Sequence, residues 1–315
     1  MKRDWRPLSS IEIKNYEKIN QDVFGTFAPT LFQIILIFIA QKSFFKRGQL
    51  RRLIAYLTYS IRKKPLDIYF RKCAFRLHYD RRNHIQDGLL VNPKYNFDDI
   101  EFLLKGSDDY SNFVDIGSNI GLYCQPLALN SPKGQVIAID ANPIMIKQLD
   151  FNVKASKLKN LKTIFSAVSD KIGSGALSIR NDDNAIVAIN EKINDGIPIT
   201  TLKNILRENK IGEIYGLKID VEGHEDLALA PFLLAAEKKE LPTKIVIEHV
   251  NQEDYPACKD AFNKLNYKLV GRSKNNSFYE LYQNLDRCKT VQLFQYIEYH
   301  SKYLENCQNK NLKRH

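Results

Sequence analysis

From residue 113 onward, short apolar runs rich in β-branched residues alternate with helical patterns. Parallel strands joined by helical crossovers require that alternation, so it restricts the fold more than any other feature of the chain. FVDI (113–116), QVIAI (135–139), LKTIFSAV (161–168), IYGLKI (214–219) and TKIVIE (243–248) read as strands. Helical patterns follow at 120–129, 143–157, 202–209, 225–238 and 256–265. YKLVG (267–271) and SFYELY (277–282), joined by a polar turn, read as a closing hairpin. The expectation is an α/β fold: a doubly wound, mostly parallel seven-stranded sheet with an antiparallel closing strand. Residues 169–199, rich in Gly, Asn and Asp, form a long insertion between the third and fourth strands.

The first 105 residues lack the alternation. They carry helical patterns over about 10–60 and two strands around LDIYF and AFRLHY. Three regions are therefore expected: a mainly helical, basic N-terminal extension (1–105), the α/β domain (106–285) and a basic helical tail (286–315). Of the net charge of +11, an equal share falls between Gln41 and Arg82, where 13 Lys/Arg face two Asp. Such a segment is either a solvated face or a site for a polyanion: an anionic membrane surface, a nucleic acid or an acidic glycan. Just upstream, FGTFAPTLFQIILIFIA (24–40) has an unbroken apolar run of only seven residues from Ile34 to Ala40. A spanning helix needs roughly 20 apolar residues, so core packing is expected first and attachment to a membrane surface second. Five scattered cysteines (Cys73, Cys124, Cys258, Cys288, Cys307) form no CxxC pair. They argue against a disulfide framework or a zinc site and suit a cytoplasmic protein, with peripheral contact on the inner membrane face through residues 24–82 as the variant reading.

The segment VDIGSNIG (114–121) joins the first strand to a helix. Glycines there let backbone approach a ligand, although a plain turn would also need one. A dinucleotide fold would show GxGxxG at this turn. Here Gly117 and Gly121 are spaced GxxxG and Asp115 precedes them. A carboxylate there repels a pyrophosphate, but it can accept from an ammonium group or bond the loop's own amides. The loop therefore favours a nucleoside ligand with a cationic amino-acid end, such as S-adenosylmethionine (SAM). Asp140, roughly 20 residues on, ends the second strand where nucleotide folds hold a ribose diol.

Taken together, VDIGSNIGLY, VIAIDANP, SAVSD, PITTLKNIL, LKIDVEGHE and VIEH, in this order and spacing, resemble the FkbM-type methyltransferases. The resemblance is strong over about 110–250 and weak upstream. It implies a class I, Rossmann-like SAM-dependent fold and methyl transfer to a hydroxyl oxygen of a sugar or secondary metabolite. Asp140 and Ala141 stand where the family more often has Glu and Pro. The residues expected to hold the cofactor are Asp115, Gly117, Ser118, Asn119, Ile120, Gly121, Asp140, Ala141, Asn142, Ala167, Val168 and Asp220.

A hydroxyl acceptor must lose its proton, so a base is needed beside the methyl donor. Asp220 ends the fourth strand and should face the cofactor crevice; Glu222 follows two residues later. Glu225 and Asp226 suit the first turn of the next helix. Glu248 and His249 end the fifth strand on opposite faces, and His249 is taken as the additional base beside Asp220 and Glu222. Asp220 and Glu222 are also hard oxygen ligands, but no third carboxylate has evident spacing, so a divalent metal is not favoured. The expected partner is a small-molecule or glycan acceptor, in a polysaccharide or glycolipid. Nucleic acid is disfavoured, because Asp-Val-Glu-Gly stands where base-amine methyltransferases show an Asn/Asp-Pro-Pro-aromatic motif, and carboxylates repel phosphates. A non-enzymatic, membrane-associated scaffold is the remaining alternative.

Overall fold

The computed structural model describes residues 5–8, 10–42, 48–78, 84–180, 183–190, 196–249 and 253–282. The tail expected at 286–315 lies outside the described residues. The chain through Leu281 forms one compact unit.

Its centre is a seven-stranded sheet whose strands we number in chain order: β1 (Phe113–Ile116), β2 (Val136–Asp140), β3 (Leu161–Phe165), β4 (Gly216–Ile219), β5 (Lys244–Glu248), β6 (Tyr267–Arg272) and β7 (Asn276–Leu281). The spatial order is 3-2-1-4-5-7-6. Neighbours from β3 through β5 run parallel, and β7 is antiparallel to both β5 and β6. Strands β1, β2 and β4 are buried along their whole length, which is why each is an almost unbroken apolar run instead of an alternating one. Helices α1 (Cys124–Asn130) and α2 (Pro143–Ala155) contribute to one core cluster, while α3 (Leu202–Glu208), α4 (Glu225–Ala235) and α5 (Pro256–Lys264) contribute to the other. This is the doubly wound, Rossmann-like arrangement of class I methyltransferases.

Two elements of the α/β domain differ from the sequence expectation. The third strand breaks at Ser166, whose amide donates to the Asp140 carbonyl and whose hydroxyl donates to Pro198 O at 2.9 Å. Beyond it, Ala167–Val168 leaves the central sheet and pairs with Ile197–Thr200. That second sheet takes in the insertion, as a hairpin of Gly173–Arg180 and Asp183–Asn190, together with Trp5–Pro7. The helix expected from 120 begins at Cys124, because Asn119 (φ 49°) and Gly121 (φ 97°) hold the preceding turn in left-handed conformations.

The N-terminal region packs into the same core as α1 and α2. Its hairpin, Leu66–Phe70 with Cys73–Leu77, is joined to α2 by polar bonds. Asn152 Oδ1 accepts from the Arg76 amide at 2.8 Å, and Gln148 Nε2 donates to Arg76 O at 2.7 Å. The apolar stretch 24–40 yields a helix at Leu31–Ala40 that is not a core helix: Gln33 and Ala40 are buried, whereas Leu31, Phe32, Ile34, Ile35, Phe38 and Ile39 are exposed. Among the described residues no helix is long and apolar enough to cross a membrane. Cys73, Cys124 and Cys258 are buried free thiols.

Candidate active site

A cavity of about 1160 Å³ opens beyond the carboxyl ends of β1, β2, β4 and β5, where ligands sit in open α/β sheets. The loop after β1 forms one wall. Gly117 (φ 80°) is required by packing: a Cβ there would lie 1.8 Å from the carbonyl oxygen of Asp220. The loop therefore closes directly onto the end of β4.

From Gly117 to Gly121, each amide of that loop has a partner within the chain. Those of Gly117 and Ser118 donate to Ile139 O, that of Gly121 to Ser118 O, and that of Ile120 to Asn119 Oδ1. Asn119 N donates to Asp140 Oδ2 at 2.7 Å, and Asn142 N donates to Asp140 Oδ1 at 2.8 Å. The glycine segment itself therefore offers no ring of free N–H groups to cradle a pyrophosphate. Asp140, bonded through both oxygens, ties the glycine loop to the end of β2 and still borders the cavity. Burial pushes its carboxyl up to about 6, against the pull of those two amides.

Of the expected cofactor residues, Gly117, Ser118, Asn119, Asp140, Ala141, Ala167, Val168 and Asp220 line the cavity. Asp115, Ile120, Gly121 and Asn142 stand behind it. Asp115 Oδ2 accepts from the Cys124 amide at 3.0 Å, so this acid fixes the start of α1. Its other oxygen is buried without a partner, and burial raises the carboxyl to about 7. Ile120 is a core residue, and Asn142 caps α2 through the Ile144 amide.

The turn after β4 separates its acids. Glu225 is fully buried and accepts from the amides of Val221 (2.8 Å) and Gly223 (2.9 Å), holding together a turn in which Glu222 (φ 56°) and Gly223 (φ 102°) are both left-handed. Asp220 and Glu222 border the cavity, as does His224, whose Nε2 lies 3.1 Å from Ser169 Oγ. On β5 it is Glu248 that lines the cavity. His249 is buried on the other side, with Nδ1 3.2 Å from Ser277 Oγ and burial lowering its basicity. Burial, then the negative charges of Asp220 and Glu222, push the Glu248 carboxyl up to about 8.

Several residues of the site were not read from the sequence as functional. Lys218 is buried within β4, with Nζ donating to Ile219 O at 2.9 Å and to Asp220 Oδ2 at 3.3 Å, 5.3 Å from the Tyr123 ring centre. A lysine inside an otherwise apolar buried strand was the available signal. From the N-terminal region, Asp99 enters the site and accepts from Tyr123 Oη and Asn276 Nδ2, each at 2.7 Å. Asn96 Nδ2 donates to Tyr123 Oη, also at 2.7 Å. Among the described residues, Asp220, Glu225 and Glu248 place ligand oxygens within 4.8 Å of one another. Both Glu225 oxygens already accept amides and Lys218 stands on Asp220, so the set suits a divalent cation poorly.

The FkbM methyltransferase domain matches residues 115–289 of the chain. The chain belongs to the FkbM methyltransferase family. It is a SAM-dependent methyltransferase, as the resemblance implied. No curated protein matches it in sequence. Among solved structures it is similar to precorrin-6y C5,15-methyltransferase from Geobacter metallireducens (11% identity, 60% of this chain and 87% of that one, TM-score 0.39). It is also similar to TYW2 from M. jannaschii in complex with AdoMet (15%, 70% and 87%, 0.37) and to TrmK from M. capricolum in complex with S-adenosyl-homocysteine (13%, 67% and 86%, 0.37). At such likeness they add nothing to what the strand order already shows.

Proposed function

We propose that this FkbM-family enzyme methylates a hydroxyl oxygen of a sugar, in a glycan or glycolipid. The observation that carries the reading is the part of the cavity wall that adjoins the carboxylates of β4 and β5. Asn92, Asn96, Asn275 and Asn276 line it, with Tyr95 and Phe97 among them. Side-chain amides both donate and accept, as a polyhydroxyl ligand needs, and aromatic rings suit the apolar face of a sugar.

The residues present fit a cationic methyl donor. Six carboxylates (Asp98, Asp99, Asp140, Asp220, Glu222, Glu248) line the cavity against three lysines (Lys94, Lys218, Lys274). With the loop amides occupied, the site is built for a nucleoside without phosphates. Asp140 would hold the ribose, with Gly117, Ser118, Asn119 and Ala141 around it and Ala167–Val168 against the adenine. When bound, SAM supplies an electrophilic methyl group on a sulfonium. Asp220 lies where a carboxylate can orient the acceptor, and Lys218 holds it in place. Glu248 takes the proton of the hydroxyl: a carboxylate made strongly basic by burial is matched to a proton of high pKa. His249, on the far side of β5, is not the base in this scheme. A nucleic-acid acceptor would bring phosphates to an acid-rich cavity, which disfavours it.

Calorimetric titration with SAM is the first test. The second is incubation of enzyme and SAM with glycolipid and polysaccharide fractions from a strain lacking the gene, followed by mass spectrometry. A gain of one CH2 unit per methyl on a saccharide is the expected result. Methyl transfer confined to a nucleic-acid fraction would overturn the acceptor assignment, and absence of SAM binding would remove its basis.

A further inference from the structure

The helix Leu31–Ala40 is built inside out. Its polar residue, Gln33, is fully buried, with Nε2 donating to Thr58 O at 2.9 Å and Oε1 accepting from the Thr30 amide at 3.0 Å. Its apolar residues at 31, 32, 34, 35, 38 and 39 form one continuous face turned outward; Leu31 is 75% exposed, and Phe32 and Phe38 are each 59% exposed. The helix Gly48–Ser60 packs against it and adds Leu50, Leu53, Tyr56 and Leu57 to the exposed apolar surface. Single exposed apolar side chains need no explanation, but a contiguous set of this size marks a surface that is covered in use.

Charge identifies the cover. Between Val23 and Leu66 the chain carries eight Lys/Arg and no Asp or Glu. Lys42 lies 4.4 Å from the centre of the Phe38 ring, and Lys63 and Lys64 are exposed just beyond the second helix. A second copy docking face to face would oppose two such cationic segments. An anionic bilayer instead meets the cations with headgroups and the apolar side chains with acyl chains. A helix of 10 residues is about 15 Å long, half a bilayer core, so it lies in the interface and does not cross.

We infer that the face formed by Leu31–Ala40 and Gly48–Ser60 docks this enzyme on an anionic membrane surface. The helix His84–Val91 packs against both of these helices and contributes His84 and Ile85 to the cavity wall. One helix thus joins the docking face to the cavity wall. The docking itself does not depend on which hydroxyl is methylated.

The test is flotation of the full chain with vesicles of phosphatidylcholine alone and with added phosphatidylglycerol, at low and high salt. Binding is expected with the anionic vesicles and is expected to weaken as salt rises. The triple variant Phe32→Ser/Ile35→Ser/Phe38→Ser should bind them about tenfold or more weakly, with its thermal melt and its SAM titration unchanged. Lys63→Glu/Lys64→Glu should lower binding only where phosphatidylglycerol is present. Failure of the wild-type chain to float with anionic vesicles would overturn the inference. So would equal binding by the triple variant, or a wild-type dimer in light scattering that this variant converts to monomer. A chain that binds SAM but no vesicles would leave the methyltransferase reading standing while removing this one.

Discussion

A methyl group at Gly117 would stand 1.8 Å from the Asp220 carbonyl oxygen, in a left-handed backbone that L side chains resist. Gly117→Ala should therefore destabilise the protein by about 2–4 kcal/mol and abolish SAM binding in calorimetry, because the loop cannot close on β4. Gly121→Ala shares the left-handed strain, but its Cβ meets side chains and not backbone, Leu149 Cδ1 at 2.6 Å and Gln125 at 3.2 Å. Its cost should be smaller and its SAM affinity measurable. Glu248→Gln should leave SAM binding in place and lower kcat by about 10²–10⁴-fold. In the wild type, activity should rise with pH as Glu248 loses its proton near 8, and the variant should lack that limb. Enzyme in which the limb survives would show that another group takes the proton. The sequence pointed to Asp220 and Glu222 but preferred His249 to Glu248, because adjacent residues at a strand end face opposite ways and period-2 alternation does not say which way is open. In the fold Glu248 lines the cavity beside its β7 partner Asn276, and His249 does not line it.

Charge counting misreads one member of the basic segment, Arg76 in the N-terminal hairpin. It is fully buried: Nε donates to Asp67 Oδ1 at 2.7 Å and an Nη donates to Oδ2 at 2.9 Å. Its remaining donors reach Ile19 O, Asp22 O and Val23 O, and the guanidinium lies 4.0 Å from the Phe151 ring centre. Asp67 in turn accepts from the amides of Gly25 and Phe27. The pair ties the hairpin, the turn before Leu31–Ala40 and α2 into one body. Arg76→Ala leaves a buried carboxylate without its cation, and chemical denaturation should show a loss of about 3–5 kcal/mol. A loss under 1 kcal/mol would mean that the region packs without this pair. Both strands of the hairpin were legible as apolar runs, since periodicity reports local burial. The ion pair was not, because its partners join only once the hairpin has formed. The break at Ser166 was hidden for a related reason: LKTIFSAV is uniformly strand-like, and only pairing with Ile197–Thr200 divides it between two sheets.

Over the whole molecule, alternation of runs along the chain was enough to predict a doubly wound sheet. It could not show that the N-terminal region supplies Asn92–Asp99 to the cavity wall, since contacts across the fold leave no periodic trace. The convergence of acids on one crevice, with Asp115 buried behind its wall, is also a property of the assembled fold, and it has a thermodynamic consequence. Asp115 is raised to about 7, Asp140 to about 6 and Glu248 to about 8, all above their unfolded values near 4. The folded chain thus binds more protons than the unfolded one across this range, so these groups favour folding fully below about pH 4 and lose that contribution as pH rises through 6, 7 and 8. His78, lowered to about 3 by burial, works in the opposite sense, but only below its free value of 6.5. Between pH 6.5 and 8.5 the acids govern, and stability without cofactor should fall by on the order of 2 kcal/mol. The cationic donor favours the ionised crevice, so the rise in melting temperature on adding SAM should be larger at pH 8.5 than at pH 6.5. Scanning calorimetry at the two pH values, with and without SAM, measures both effects. A melting temperature that rises with pH in the absence of SAM would show that the acids of the crevice do not carry their protons into the folded state.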